Sequence, residues 1–273
     1  MSGTWHGDAS PPEIPLNVAG IGRALLKGIP IFLLVFGGLL VLLLVRCFER
    51  PVFGSARPVT PYLTVGVCRG TLWLMGLRLD VAGQPLKGKG AVVANHSSWL
   101  DIFVLNASKR IYFVSKAEVA KWPGIGWLAR ATGTVFIERS RVKAAEQAAL
   151  FKSRLEAGHK LLFFPEGTSS DSTRVLPFKS TLFAAFFDPI LRGTLKVQPV
   201  TVTYFAPPGA DARFFGWWGE MEFGGHFLRV LAYGAGGRVE VTYHDPLAVS
   251  EFPDRKALAR ACETAVRAGR SMT

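Results

Sequence analysis

One imidazole and one carboxylate stand five residues apart in Asn95-His96-Ser97-Ser98-Trp99-Leu100-Asp101, directly after the apolar run Ala91-Val92-Val93-Ala94. The run reads as a buried strand. In an unbroken helix five residues turn through about 140°, which would hold the two side chains apart. A turn at His96, with a helix starting at Ser97 or Ser98, would let Asp101 fold back toward the ring. That arrangement is a neutral histidine fixed in one tautomer by a carboxylate, a general base. The same letters also spell Ser98-x-x-Asp101, a capping box that would make Asp101 structural and His96 a plain turn residue. The heptapeptide alone leaves both readings open.

A second loop, Phe163-Phe164-Pro165-Glu166-Gly167-Thr168, again follows an apolar run and ends in polar residues. Thr134-Val135-Phe136-Ile137-Glu138-Arg139 is an apolar strand ending in arginine, and Val197-Gln198-Pro199-Val200 a strand with an internal proline. Arg139 at a strand end could pair bidentately with a phosphate, and Gly167 would let backbone amides approach a ligand. In this order the four blocks resemble the glycerolipid acyltransferase family, which includes lysophosphatidic acid acyltransferases. Asn95, His96 and Asp101 match its Asn-His-x-x-x-x-Asp motif, and Phe164 to Thr168 its Phe-Pro-Glu-Gly-Thr motif. The resemblance covers Ala91 to Tyr204.

That resemblance implies transfer of a fatty acyl group from a coenzyme A or acyl-carrier-protein thioester to the hydroxyl of a lysolipid. No metal and no cofactor beyond the donor are expected. His96 would be the base and Asp101 its orienting acid, with the substrate's own hydroxyl in the place of a nucleophilic serine. Asn95, Arg139, Glu166, Gly167 and Thr168 would line the acceptor site. Ser97 and Ser98 lack a Gly-x-Ser-x-Gly elbow and suit helix capping better than nucleophilic attack. Many relatives read Glu-Gly-Thr-Arg-Ser, the arginine gripping the acceptor phosphate, whereas this chain has Ser169 there. Arg174 and Lys179 follow, but not at that spacing. Lysophosphatidic acid is the default acceptor by resemblance, and a zwitterionic lysolipid such as lyso-ornithine lipid is the alternative. The rival activities are a thioesterase or lipase on the same base, and a membrane-anchored lipid-binding scaffold in which His96 and Asp101 only cap.

The elements that must position these residues begin with a membrane anchor. Of 273 residues, 49% are hydrophobic, and the mean hydropathy is +0.26, high for a soluble enzyme. The net charge of +12 suits an anionic bilayer or phosphorylated substrate. Helix-turn-helix, zinc-finger and aromatic RNA-binding signatures are missing, so nucleic acid is not an expected partner. Three cysteines, Cys47, Cys68 and Cys262, give no disulfide framework or metal spacing, and the catalytic part is read as facing a reducing compartment.

Residues 1–28 read as a tail, 29–78 as a membrane-anchoring helical segment and 79–273 as the acyltransferase domain. Ile29 to Val45 carries no charge over about 17 residues, the lower limit for a bilayer span. Val59 to Leu77 is interrupted by Arg69 and reads as an interfacial or re-entrant helix with Trp73 near the headgroups. Arg46, Arg50 and Arg57 after the first run outnumber Arg23 and Lys27 before it, which places the domain on the cytoplasmic face of the inner membrane. Beyond it, strands at 79–82, 91–94, 111–114, 134–137, 160–164, 195–204 and 238–243 alternate with helices at 141–157, 180–187 and 254–268. The helical face of 141–157 is read as Val142, Ala145, Ala149 and Leu150. This predicts an α/β fold, a mostly parallel sheet flanked by helices, with ligands beyond the strand C-termini where His96, Arg139 and Glu166 lie. The aromatic-rich stretch Ala206 to Gly237 reads either as a wall along the membrane or an acyl channel, or as a loop packed on the sheet.

Overall fold

The computed structural model describes residues 4–7, 17–88, 90–138, 144–234 and 236–271. Asn17 opens the first helix, α1 (Val18–Phe53), by accepting the Gly20 amide at 2.8 Å. At 36 residues it is about 54 Å long. Only 11% of its most apolar 18-residue stretch is buried. A core helix would be covered; this one is long and apolar enough to cross a membrane. Residues 18–28, read as tail, belong to it. Their charges pair with backbone carbonyls at the end of the helix Phe223–Ala232: Arg23 Nε donates to Ala232 O at 2.7 Å, and Lys27 Nζ to Tyr233 O at 3.3 Å.

The second helix, α2 (Thr60–Met75), returns along α1. Glu49, 4% exposed, closes the hairpin by accepting the Val59 and Thr60 amides and the Thr60 hydroxyl at 2.7–3.1 Å. Midway the backbones come close. A Cβ on Gly38 would stand 2.5 Å from Val67 Cγ2, and one on Gly70 would stand 2.8 Å from Leu34 Cδ2. Arg69, the charge that disfavoured a full span, turns inward and donates to Ala107 O at 2.9 Å. That carbonyl lies at the C-terminal end of α3 (Leu100–Ser108), where a cation is welcome. Trp73 stays 79% exposed on the outer side.

The sheet that follows comprises β1 (Arg78–Gly83), β2 (Gly90–Ala94), β3 (Tyr112–Lys116), β4 (Val135–Ile137), β5 (Lys160–Phe163), β6 (Lys196–Phe205), β7 (Arg238–Tyr243) and β8 (Leu247–Ala248). Its order is β1-β7-β6-β2-β5-β3-β4, with β8 also on β6. All described pairings are parallel except β6 with β7 and with β8. The alternation of short apolar strands and helices therefore did specify a mostly parallel sheet. Central β2 is buried along its whole length and uses both faces. Val92 and Ala94 pack under α1, α2, α3 and α7 (Phe223–Ala232), and Ala91 and Val93 under α5 (Ala144–Glu156) and α8 (Arg255–Ser271).

Three local readings need amendment. Among the described side chains of α5 the buried ones are Phe151 and Leu155, while Ala149 and Leu150 are exposed; the i, i+4 pair with the larger apolar area took the inner face. Val142 lies outside the described residues, as does the side chain of Ala145. The segment Ser180–Phe187 is a 3-10 helix, and the four-residue α6 (Pro189–Arg192) follows it. Within the aromatic stretch, Phe214, Phe215 and Trp218 are 3–4% exposed core residues. Phe223 and Phe227 lie on α7, and their rings pack on Trp99 at 5.4 and 5.5 Å.

Helix α1 meets the domain near its start and again from its middle onward. Near its start Gly28 faces Leu231 of α7, and further on Phe36 touches Gly124, just ahead of α4 (Ile125–Thr132).

Candidate active site

The apolar strand β2 stops at Ala94 because Asn95 spends its amide on a neighbour. Its Nδ2 donates to Val202 O at 2.9 Å, and its Oδ1 accepts Val202 N at 2.8 Å. Asn95 is fully buried, so it pins the turn to β6 and does not face the cleft. The chain then turns at His96, and α3 starts only at Leu100. Asp101, in its first turn, folds back: Oδ2 lies 2.7 Å from His96 Nδ1. The same oxygen accepts the Ser97 and Ser98 amides at 2.7 and 3.0 Å. The two readings of the heptapeptide are thus one structure. Asp101 holds the turn by the carboxylate half of a capping box, and this sets it against the imidazole. The serine half is not made, since Ser98 Oγ has no partner among the described residues.

Tyr204 of β6 donates to Asp101 Oδ1 at 2.7 Å. Burial, and then the Asp101 charge, push its phenol well above the ordinary value, so it remains a donor. With a phenol and two amides already donating, the carboxylate acts as acceptor only, and Nδ1 must carry the ring proton. That leaves Nε2 with its lone pair. No described residue bonds Nε2, and the imidazole is 21% exposed. Phe164 stacks on the ring at 4.0 Å and 12°, fixing its plane. A base with one tautomer, one orientation and an open acceptor nitrogen is the result.

The loop after β5 is clamped to this turn. Glu166, 1% exposed, accepts the His96 amide on Oε1 at 2.8 Å and the Leu176 amide on Oε2 at 2.9 Å. Burial pushes its carboxyl up to about 8, against the pull of those two amides. Its contacts are those of a strut between two loops. Gly167 takes φ +73°, a left-handed conformation, and its amide closes on Phe164 O at 3.1 Å. Thr168 accepts the Trp5 amide at 3.3 Å. Ser170 N and Trp217 N reach His96 O and Ser97 O, each at 2.9 Å. Ser97 and Ser98 are fully buried, out of reach of a substrate. Ser169 is 8% exposed, and Arg174 is ion-paired to Asp171 at 2.9 Å. Arg139 lies outside the described residues. The structure therefore brings His96, Asp101, Glu166, Gly167 and Thr168 together. Among the described residues no cluster of His, Cys, Asp or Glu could hold a metal.

Tyr204 and His226 were not anticipated, whereas Trp217 belongs to the aromatic stretch read as a wall or as a loop packed on the sheet. Tyr204 carried a faint signal, a polar-tipped aromatic on the inward side of a buried strand; His226 carried none. His226 accepts Trp99 Nε1 at 2.9 Å and, with its pKa lowered to about 4 chiefly by burial, stays neutral. We expect Tyr204→Phe to lower kcat about tenfold with KM unchanged, because a hydrogen bond to a charged group is worth about 1.5–3 kcal/mol. Initial rates over a pH series would check it; a purely structural tyrosine would lower the melting temperature and leave the pH profile of kcat where it was.

An Asn-His-x-x-x-x-Asp turn at the C-terminal edge of a parallel sheet, clamped by a Phe-Pro-Glu-Gly-Thr loop, defines an acyltransferase fold and site. The family model "Acyltransferase" matches residues 78–203. The chain is 55% identical over 265 residues to a lyso-ornithine lipid O-acyltransferase of Rhodobacter capsulatus, covering 97% of this chain and 96% of that one. It is 40% identical over 205 residues to a lyso-ornithine lipid O-acyltransferase of Brucella abortus, covering 71% and 76%. The crystal structure of the 1-acyl-sn-glycerophosphate (LPA) acyltransferase PlsC from Thermotoga maritima has the same fold, with a TM-score of 0.64 and 21% identity over 93% of this chain and 97% of that one. This chain belongs to the acyltransferase family and is an enzyme of that family.

Proposed function

We propose that this enzyme is a membrane-bound lyso-ornithine lipid O-acyltransferase. It takes a fatty acyl group from a coenzyme A or acyl-carrier-protein thioester and places it on the free hydroxyl of the lysolipid. His96 Nε2 takes the hydroxyl proton as the oxygen attacks the thioester carbonyl, Asp101 holds the resulting imidazolium, and the tetrahedral intermediate collapses by C–S cleavage as Nε2 returns the proton to the departing thiolate. Two protein groups act and no covalent enzyme intermediate forms.

The acceptor follows from charge. The default acceptor, lysophosphatidic acid, carries a phosphomonoester that needs a guanidinium at the position held here by Ser169, and the adjacent Arg174 is already paired with Asp171. The single observation that carries the reading is this missing cation in a chain 55% identical to an enzyme named for lyso-ornithine lipid. The cluster of Trp99, Phe223 and Phe227 beside the His96 turn suits an acyl chain.

The anchor bears on how the enzyme sits. Because α1 meets α7 near its start and α4 from its middle onward, a full crossing would drag α7 and α4 through the bilayer. We therefore read the α1–α2 hairpin as lying along one leaflet on its cytoplasmic side, with its turn and the domain both at headgroup depth.

The test is a panel of lysolipids given one labelled acyl donor and purified membranes. Lyso-ornithine lipid should be acylated with a kcat/KM at least about tenfold above lysophosphatidic acid, the worth of one well-placed charge pair. The reverse ranking would return the acceptor to the phosphomonoester class, and donor cleavage without any acceptor would make the enzyme a thioesterase.

A further inference from the structure

We propose that a second site, distinct from the His96 cleft, binds the phosphate of an anionic phospholipid. A cavity of about 820 Å³ lies between the C-terminal part of α1, α4 and α5. Arg46, Arg50, Arg57, Arg130 and Arg154 line it, together with Leu39, Leu43 and Trp127. It opens at the start of β4, where Arg57 Nη1 donates to Ala131 O at 2.6 Å and Arg154 Nη2 to Gly133 O. His96 follows the end of β2. Since β2, β5, β3 and β4 are parallel in turn, the two sites sit at opposite edges of the sheet.

The charges around the cavity do not balance. Glu49 is the acid beside it, and that carboxylate is committed to Arg46, Thr60 and the Val59 amide. Burial, then repulsion from Arg46, lowers the pKa of Arg57, and burial and Arg46 do the same at Arg154. Arg154 Nε is buried with no partner among the described residues. A buried donor without an acceptor and several crowded cations are costly, and one anion relieves both. Guanidinium forks fit a phosphate bidentately.

The walls decide the source of that phosphate. Leu39 and Leu43 lie one turn apart on the anchor, with Leu40 and Leu44 59% and 56% exposed beside them. Trp127, 60% exposed, stands at the rim. A phospholipid would lay its acyl chains along α1 and put its phosphate among the arginines, at headgroup depth. This occupant does not depend on which lysolipid the enzyme acylates.

The experiment is flotation of the full chain with neutral phosphatidylcholine vesicles and with vesicles containing phosphatidylglycerol. Wild type should bind the anionic vesicles more tightly. The pair Arg50→Gln and Arg130→Gln, both exposed, should reduce that advantage about twentyfold, roughly fivefold per arginine at an anionic surface. Arg255→Gln with Arg260→Gln, two exposed cations on α8, should leave it intact. Arg154→Lys keeps the charge, loses the fork, and should still weaken anionic binding several-fold; if it does not fold, the Arg50 and Arg130 pair decides alone. Equal losses in both glutamine pairs would mean diffuse surface charge and overturn the site. Full displacement from anionic vesicles by millimolar inorganic phosphate at constant ionic strength would mean a free-anion pocket and overturn the lipid occupant.

Discussion

His96→Ala is expected to reduce acyl transfer about 10³- to 10⁴-fold, the upper part of what a positioned general base supplies. The protein should still fold and still load into membranes. Asp101 would lose one neighbour and keep Tyr204 and the Ser97 and Ser98 amides, so the turn would survive. Glu166 bonds the backbone amide of residue 96 and not its ring, so the second loop would stay clamped as well. The check is a rate measured with saturating thioester and lysolipid, beside a melting curve and a membrane-content blot. A variant that turned over near the normal rate would remove the imidazole from the mechanism.

Asp101→Asn is expected to be nearly as severe for turnover, and unlike the histidine change it should cost stability. An asparagine amide offers a donor where the native carboxylate only accepts. Placed against His96 Nδ1–H, it would favour the other tautomer and bury the lone pair that the reaction needs; in a serine-protease triad the same substitution costs about 10⁴ in kcat. The buried amides of Ser97 and Ser98 and the Tyr204 hydroxyl would also lose acceptors, a penalty of about 1–3 kcal/mol for each one left unsatisfied. Kinetics should therefore show a collapse in kcat, and denaturant titration a lower midpoint. Normal kcat with lowered stability would assign Asp101 to capping alone.

These two variants separate roles that the heptapeptide left merged. As letters, Ser98-x-x-Asp101 supports a cap and His96-x-x-x-x-Asp101 supports a base. The fold makes both true at once, because the amides that receive Asp101 belong to the turn that presents His96. The motif Phe164 to Thr168 shows a similar division. Its placement beside His96 was legible, since both follow buried strands that turn out to be parallel neighbours. That Glu166 would spend both oxygens on backbone amides was not, because one partner, Leu176, lies ten residues on and the other, His96, lies seventy residues back.

The sequence by itself determined the strand-helix alternation, the long apolar helix, the order of the four motifs and the edge of the sheet where the His96 and Glu166 motifs meet. Those are written in hydrophobic period and in short-range spacing, which depend on neighbours a few residues away. Only the tertiary structure decided that Asn95 pins β6, that Tyr204 steadies Asp101, that Arg69 turns inward to a helix end, and that five arginines gather at the foot of α1. Each of those depends on partners that the chain brings together from a distance, through contacts between side chains and backbone groups that carry no periodic trace in the letters.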